Sequence, residues 1–228
     1  MSKTKSKSKV FFLIIIASLT ILLLIFVILR ITHVLLHIGN EYTFCYRAHY
    51  AINGNNNDDV NNNNIAEIKY VNGVKDLTIE CTNITNFDFL VHFSELEQLW
   101  IMHSPGNGAN ALTGNLPSLK TAPNLEDIRI LNIDVDNLNF IADSPNLKSL
   151  QVHPYDTKIH DLSGLQNKPE LSSLMLDNTD CSDYSVLLDL PALTYLCIDE
   201  TELPDDIKLA LEEKGVAINP YLKDTKTE

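Results

Sequence analysis

A short pattern of apolar residues recurs six times in the second part of the chain. Each copy is a phrase with apolar residues at its first, fourth and sixth positions: VKDLTI, LEQLWI, LEDIRI, LKSLQV, LSSLML and LTYLCI. The fourth residues recur at intervals of 22, 29, 22, 24 and 22, at Leu77, Leu99, Ile128, Leu150, Leu174 and Leu196. Alternation over a short stretch predicts a half-buried strand, and a period of this length predicts stacked units. We therefore expect a repeat protein with one strand in each unit.

Proline and glycine residues mark where the strands begin and where the stack of repeats ends. Four phrases follow a proline placed two residues before the first leucine, at Pro123, Pro145, Pro169 and Pro191. Proline fixes φ, so each of these strands begins at a defined place. After the sixth phrase, Pro204 and Asp205 predict the start of a helix and Gly215 predicts its end. This helix and a short strand at 216–218 are expected to cap the stack. At the other end, residues 65–70 with the segment around Cys45 are expected to cap the first copy.

The phrase resembles the leucine-rich repeat, most closely the short repeats of internalins and of the phosphatase-regulator type. The resemblance covers residues 74–219 and implies an α/β repeat fold, a leucine-rich-repeat solenoid with parallel strands on its concave face. The family's asparagine after the strand is replaced here by other residues, Ile133 and Thr179 among them. The resemblance also implies binding of a protein or peptide ligand.

Alternation along the strands defines a candidate binding surface. The first, fourth and sixth residues of each phrase are core, so the fifth residue and the residue two positions later lie on the open face. The predicted ligand-binding residues on this face are Trp100, Met102, Arg129, Leu131, Gln151, His153 and Met175. Trp and Arg are favoured interface anchors, although cross-strand packing explains the same residues without a ligand.

The N-terminal part contains a long apolar run. Residues 10–29 read VFFLIIIASLTILLLIFVIL, in which Ser18 and Thr20 are the only polar residues. A helix of about 20 residues spans about 30 Å, the thickness of a hydrocarbon core. A cleaved signal peptide is the alternative, but its apolar run would be about 7–15 residues, followed by a small-residue cleavage site. The run predicts one transmembrane helix, a retained signal anchor over residues 10–30.

Charge asymmetry predicts how this segment is oriented. Five of the 17 basic residues precede Glu41 and no acidic residue does, so the rest of the chain carries 12 basic and 30 acidic residues, a net charge of -18. Lysines before an anchor favour a cytoplasmic N terminus, which makes this a single-pass membrane protein with an extracytoplasmic repeat domain. An acidic surface repels phosphate backbones, so nucleic acid is disfavoured as a partner.

These observations divide the chain into five parts. Residues 1–9 are a basic cytoplasmic tail, 10–30 the anchor, 31–64 a juxtamembrane segment and spacer, 65–219 the repeat domain with its caps, and 220–228 a C-terminal tail. Residues 31–38 are expected to extend the apolar helix. The spacer is rich in asparagine, with GNNNDDVNNNN at 54–64. Such a stretch buries too little apolar surface to offset its ordering entropy.

No catalytic or metal-binding motif stands out, so we expect no enzyme activity, catalytic residue, metal or cofactor. Among the cysteines, Cys181 is expected in the core and Cys197 on the open face, so these two should not form a disulfide. Cys45 and Cys81 are the pair whose positions allow a disulfide.

The leading hypothesis is a membrane-anchored, extracytoplasmic recognition protein. A structural or envelope scaffold is the alternative, and a cytoplasmic phosphatase regulator, suggested by repeat type alone, is disfavoured by the predicted topology.

Overall fold

A computed structural model describes most of the repeat region and parts of the N-terminal region. The described residues are 15–25, 33–38, 41–46, 49–53, 71, 73–81, 84, 86–103, 112–113, 116–199 and 203–220. Among them, eight parallel strands form one sheet. Its strands in spatial order are β3 (His49–Asn53), β4 (Asp76–Cys81), β5 (Gln98–His103), β7 (Asp127–Leu131), β9 (Ser149–His153), β10 (Ser173–Leu176), β11 (Tyr195–Ile198) and β12 (Ala217–Ile218). The short strands β6 (Leu112–Thr113) and β8 (Ile133–Asp134) form a separate parallel pair.

The repeated phrase forms these strands in one constant register. Leu77 pairs with Leu99, Leu99 with Ile128, and the match continues through Leu150 and Leu174 to Leu196. Every one of these residues is at most 1% exposed, so one face of the sheet is a continuous aliphatic core. The chain therefore has a leucine-rich-repeat-like, parallel-strand repeat fold, as the six phrases predict.

Short 3-10 helices return the chain across the other side of the core. They span Asp88–His92, Asn139–Ile141, Ser163–Leu165 and Ser185–Asp189. Their buried members include Leu90, Ile141 and Leu187. Two of these helices approach each other closely at Gly164, where an added Cβ would lie 2.0 Å from the Leu138 carbonyl oxygen. A larger residue there would force neighbouring repeats apart.

The C-terminal cap has the predicted form. The helix Asp205–Glu213 follows Pro204 and buries Leu211, and Gly215 adopts a positive φ of 83° just after it. This left-handed conformation suits glycine, which has no Cβ to clash. Strand β12 then pairs with β11, so the last repeat does not end in an open strand edge.

The structure differs from the sequence analysis at the N-terminal side of the repeats. Residues 33–38, expected to extend a helix, form strand β1 (His33–Ile38), which pairs antiparallel with β2 (Glu41–Tyr46). Strand β3, which lies in the expected juxtamembrane segment and spacer, pairs with β4 in the repeat sheet. The sheet thus begins before residue 65. The asparagine-rich stretch 54–64 and the expected cap at 65–70 lie outside the described residues.

The apolar N-terminal run is described in part. Residues 15–25 are α-helical, and their large apolar side chains are 41–64% exposed. No helix among the described residues combines the length and the apolar character needed to cross a membrane. Residues 1–14 and 26–30, which complete the predicted tail and anchor, lie outside the described residues.

Candidate ligand-binding surface

The parallel register brings the predicted binding residues together in two rows on one face of the sheet. We call this surface the open face. Its first row runs across the strands through Thr78, Trp100, Arg129, Gln151, Met175 and Cys197. The second row contains Glu80, Met102, Leu131 and His153. Neighbouring strands are about 4.8 Å apart, so adjacent members of a row are in side-chain contact range.

Side chains on the open face keep part of their surface in solvent. Trp100, Met102, Arg129 and Met175 are half-buried, whereas the residues that alternate with them are fully buried. Leu131 and Gln151 are also half-buried and His153 is exposed. All seven predicted binding residues thus share this face. Their role in binding stays a prediction.

Trp100 and Arg129 form a defined cluster with Asp127. The Arg129 guanidinium carbon lies 4.2 Å from the centre of the Trp100 ring. One carboxylate oxygen of Asp127 accepts hydrogen bonds from the Trp100 indole Nε1 at 3.2 Å and from Arg129 Nε at 3.3 Å. Cation–π contact and shared hydrogen bonding fix both side chains. A ligand would therefore meet a preorganised aromatic and cationic surface.

Asp127 was absent from the predicted binding residues. The sequence did carry a signal, because Asp127 lies two residues before Arg129 in the same strand and alternation places both on one face. Its carboxylate balances the Arg129 charge, so the centre of the open face is aromatic and ion-paired rather than simply cationic.

The second row continues the surface toward β10. Met102 and Leu131 are neighbours in register and provide apolar surface. Next to them, His153 Nδ1 contacts a carboxylate oxygen of Asp177. Polar groups thus border the apolar centre, an arrangement common at protein interfaces.

The two described cysteine side chains occupy different environments. Cys197 is half-buried at the end of the first row, where burial, with a smaller effect of the Asp177 charge, raises the pKa of its thiol. Cys181 packs against the core and donates from Sγ to the Ile159 carbonyl at 3.1 Å. Neither is in a disulfide. The side chains of Cys45 and Cys81 lie outside the described residues.

Asp134 has a structural role beside the surface. Its Oδ1 accepts hydrogen bonds from the backbone N–H groups of Tyr155, Asp156 and Thr157, at 3.1, 2.9 and 3.1 Å. Burial acts to raise the pKa of Asp134, but the hydrogen bonds outweigh it and leave this pKa below its ordinary value. The described residues contain no group of three or more His, Cys, Asp and Glu side chains that could hold a metal ion.

Comparison with known proteins identifies a similar fold. No protein-family model matches the chain, and no curated protein matches it. Among solved structures, an internalin (inlF) from Listeria monocytogenes str. 4b F2365 matches with 20% identity and a TM-score of 0.45, covering 64% of this chain and 48% of the internalin. The chain thus spans about half the length of that internalin. This likeness concerns the fold alone, and function has to be argued from the chain's own residues.

Proposed function

We propose that this chain is a membrane-anchored, extracytoplasmic leucine-rich repeat protein that binds a protein or peptide through its open face. The observation that carries the proposal is the Trp100–Asp127–Arg129 cluster, which lies half-exposed at the centre of that face. We also propose that it is not an enzyme, because its sequence carries no catalytic motif with a recognised spacing.

The composition of the open face supports a macromolecular ligand. Tryptophan, arginine and methionine are enriched at interfaces, and a few such anchors supply most of the binding energy. Here Trp100 and Arg129 are register partners whose side chains contact each other, and Met102 lies two residues after Trp100 on the same face of the strand. A partner would therefore lose less conformational freedom in binding them than in binding flexible side chains.

The membrane anchor is supported by the apolar run at residues 10–29 and by the exposure of the side chains in its described helical part. Leu22 and Leu23 are 62% and 64% exposed, so the described residues do not bury them. Transfer of such a helix into lipid would remove its apolar surface from water.

Peptide selection followed by mutagenesis tests the binding role. Random peptides displayed on phage are selected against the full chain in a non-ionic detergent. We expect Trp100→Ala to weaken selected peptides by about 2 kcal/mol, or about 30-fold, as an aromatic anchor does. Tyr155→Ala removes an exposed aromatic side chain outside the two rows and should leave binding unchanged.

Stability measurements on the same variants separate binding from folding. Trp100→Ala should lower the free energy of unfolding by no more than about 1 kcal/mol, because its side chain lies outside the core. Leu99→Ala, at a fully buried position, should lower it by about 2–5 kcal/mol. Unchanged peptide binding by both Trp100→Ala and Arg129→Ala would reject the open face as the site. That result would favour the scaffold alternative.

A further inference from the structure

A small pocket opens beside Trp100 on the side away from Arg129. It is lined by Asp76, Leu77, Thr78, Gln98 and Trp100, and its volume is about 100 Å³. Strand β5 carries Trp100 and lies between β4, which carries Asp76 and Thr78, and β7, which carries Arg129. The pocket therefore extends the open face toward β4.

The Asp127 cluster explains why this space is open. Both fixed contacts of Trp100, its indole N–H bond to Asp127 and its stacking with Arg129, come from strand β7. They hold the indole toward β7. On the β4 side the register partner of Trp100 is Thr78, whose short side chain leaves room above that strand.

The carboxylate of this pocket has no hydrogen-bonded partner within the described part of the chain. Asp76 is half-buried and forms no hydrogen bond or salt bridge with another described side chain. The adjacent Lys75 interacts with the Asp76 charge at longer range but pairs with Glu97, and Arg129 pairs with Asp127. A half-buried carboxylate beside an aromatic ring favours a positive charge, because both the carboxylate and the ring attract cations.

The volume of the pocket limits its occupant. Pockets for small-molecule ligands are larger, about 300–1,000 Å³. This space fits the end group of one side chain, which points to a macromolecular partner that inserts a single group.

We propose that this pocket receives the ammonium or guanidinium group of a lysine or arginine side chain of the protein partner. Asp76 provides the counter-charge, the Trp100 ring provides a cation–π surface, and the side-chain oxygens of Thr78 and Gln98 can accept hydrogen bonds. This assignment rests on the proposed function, because it names the chemistry of the group that the open face recognises. It also agrees with the net charge of -18 from Glu41 onward, which attracts basic partners.

Fluorescence of Trp100 tests the pocket directly, because this is the single tryptophan of the chain. The full chain in non-ionic detergent is titrated with N-acetyl-lysine methylamide and, as a neutral probe of similar length, with N-acetyl-norleucine methylamide. The titration is run at about pH 8, above the range in which histidines ordinarily carry charge, because His49 is the register partner of Asp76. We expect a saturable change in emission with the lysine probe and none with norleucine.

Charge variants test whether the Asp76 carboxylate contributes to binding of the lysine probe. Asp76→Asn should raise the half-saturating concentration of the lysine probe about fivefold, the range of a partly exposed ion pair. Asp199→Asn removes a carboxylate beyond the far end of the same face and should leave the titration unchanged. Equal half-saturation in Asp76→Asn and the unmodified chain, an equal response to norleucine, or no saturable response to lysine would each overturn the assignment.

The selected peptides distinguish failure of this inference from failure of the proposed function. Peptides that need Trp100 but lack basic residues and tolerate Asp76→Asn would leave the open face as the binding site and reject the lysine pocket. Peptides indifferent to both Trp100→Ala and Arg129→Ala would reject the open face as the protein-binding site. An Asp76-dependent response to the lysine probe would then show a cation pocket without that function.

Discussion

Asparagine side chains bridge neighbouring repeats where the backbone turns. Asn132, Asn178 and Asn219 have positive φ values of 59°, 53° and 44°. Asn132 donates to the His103 carbonyl at 3.0 Å, Asn178 donates to the Pro154 carbonyl at 3.2 Å, and Asn219 bonds both backbone groups of Ile198. The repeat pattern predicts this asparagine one position later, at Ile133 and Thr179, and both of those residues are buried. These asparagine side chains therefore connect neighbouring repeats one position before the expected place.

Substitutions at Asn178 separate the side-chain bond from the backbone conformation. Asn178→Ala removes the bond to Pro154 and leaves a Cβ in the left-handed region without local compensation, so the free energy of unfolding should fall by about 1–2 kcal/mol. Asn178→Gly loses the same bond but tolerates the positive φ, and should lose less. Urea unfolding followed by Trp100 fluorescence measures both. Equal losses in the two variants would contradict a backbone contribution.

Asp134 should make stability depend on pH. Its pKa is lower in the folded chain than in the unfolded chain, so its contribution is fully present above the unfolded value of about 3.9 and is lost as the pH falls through the folded value. Asp134→Ala should lower the free energy of unfolding by about 2 kcal/mol at pH 7, and the loss should shrink below about pH 4. Asp156→Ala, in the same turn, keeps its backbone N–H donor and should change stability by less than about 0.5 kcal/mol. A loss for Asp134→Ala that is constant from pH 7 to pH 3 would exclude this linkage.

At the scale of elements, the periodic strands were predictable. The segment around Cys45 was expected to cap the first repeat, but strand β3 itself was not predicted. Each phrase repeats its apolar positions, so strand, face and register follow from one pattern. Strand β3 reads HYAIN, has no leucine phrase, and is separated from β4 by the asparagine-rich stretch. Its position depends on pairing with β4, a long-range interaction that local sequence does not encode.

The candidate site, too, was predictable only in part. Alternation placed Trp100 and Arg129 side by side on one face, as the register confirms. The pocket beside Trp100 depends on which way the indole ring leans, and this is decided by its hydrogen bond to Asp127 in another repeat. Spacing in the sequence specifies faces of strands but not such side-chain orientations.

Truncations should show that the elements at both ends of the sheet stabilise the fold. A fragment of residues 65–228 lacks β3 and leaves β4 as an open edge, so it should melt at a lower temperature than a fragment of residues 47–228. Removing residues 204–228 uncovers Leu196 and Ile198 and should prevent cooperative unfolding. Removing only residues 221–228 is the control and should leave the melt unchanged. The same melting temperature for fragments 47–228 and 65–228 would show that β3 does not stabilise the sheet.

At the scale of the whole molecule, charge is divided between two regions. The first 40 residues carry five basic and no acidic side chains, and the rest carries a net charge of -18. The apolar run lies within the basic region, with four lysines before it and Arg30 directly after it. This distribution places the stronger basic cluster at the N-terminal end of the proposed anchor. Lysine-rich ends are retained on the cytoplasmic side of a membrane.

Reporter fusions after Glu228 test the resulting topology. A reporter that is active only outside the cytoplasm should be active in this fusion, and one that is active only inside should be silent, because lysines before an anchor favour a cytoplasmic N terminus. Replacing Lys3, Lys5, Lys7 and Lys9 with glutamine removes the bias, so a fraction of the chains should insert in the opposite orientation. Replacing Lys208 and Lys214 with glutamine is the matched control, since charges far from the anchor have little effect on orientation. Activity of the cytoplasmic reporter alone would show that the chain has the opposite orientation. The open face would then lie in the cytoplasm and could bind only cytoplasmic partners.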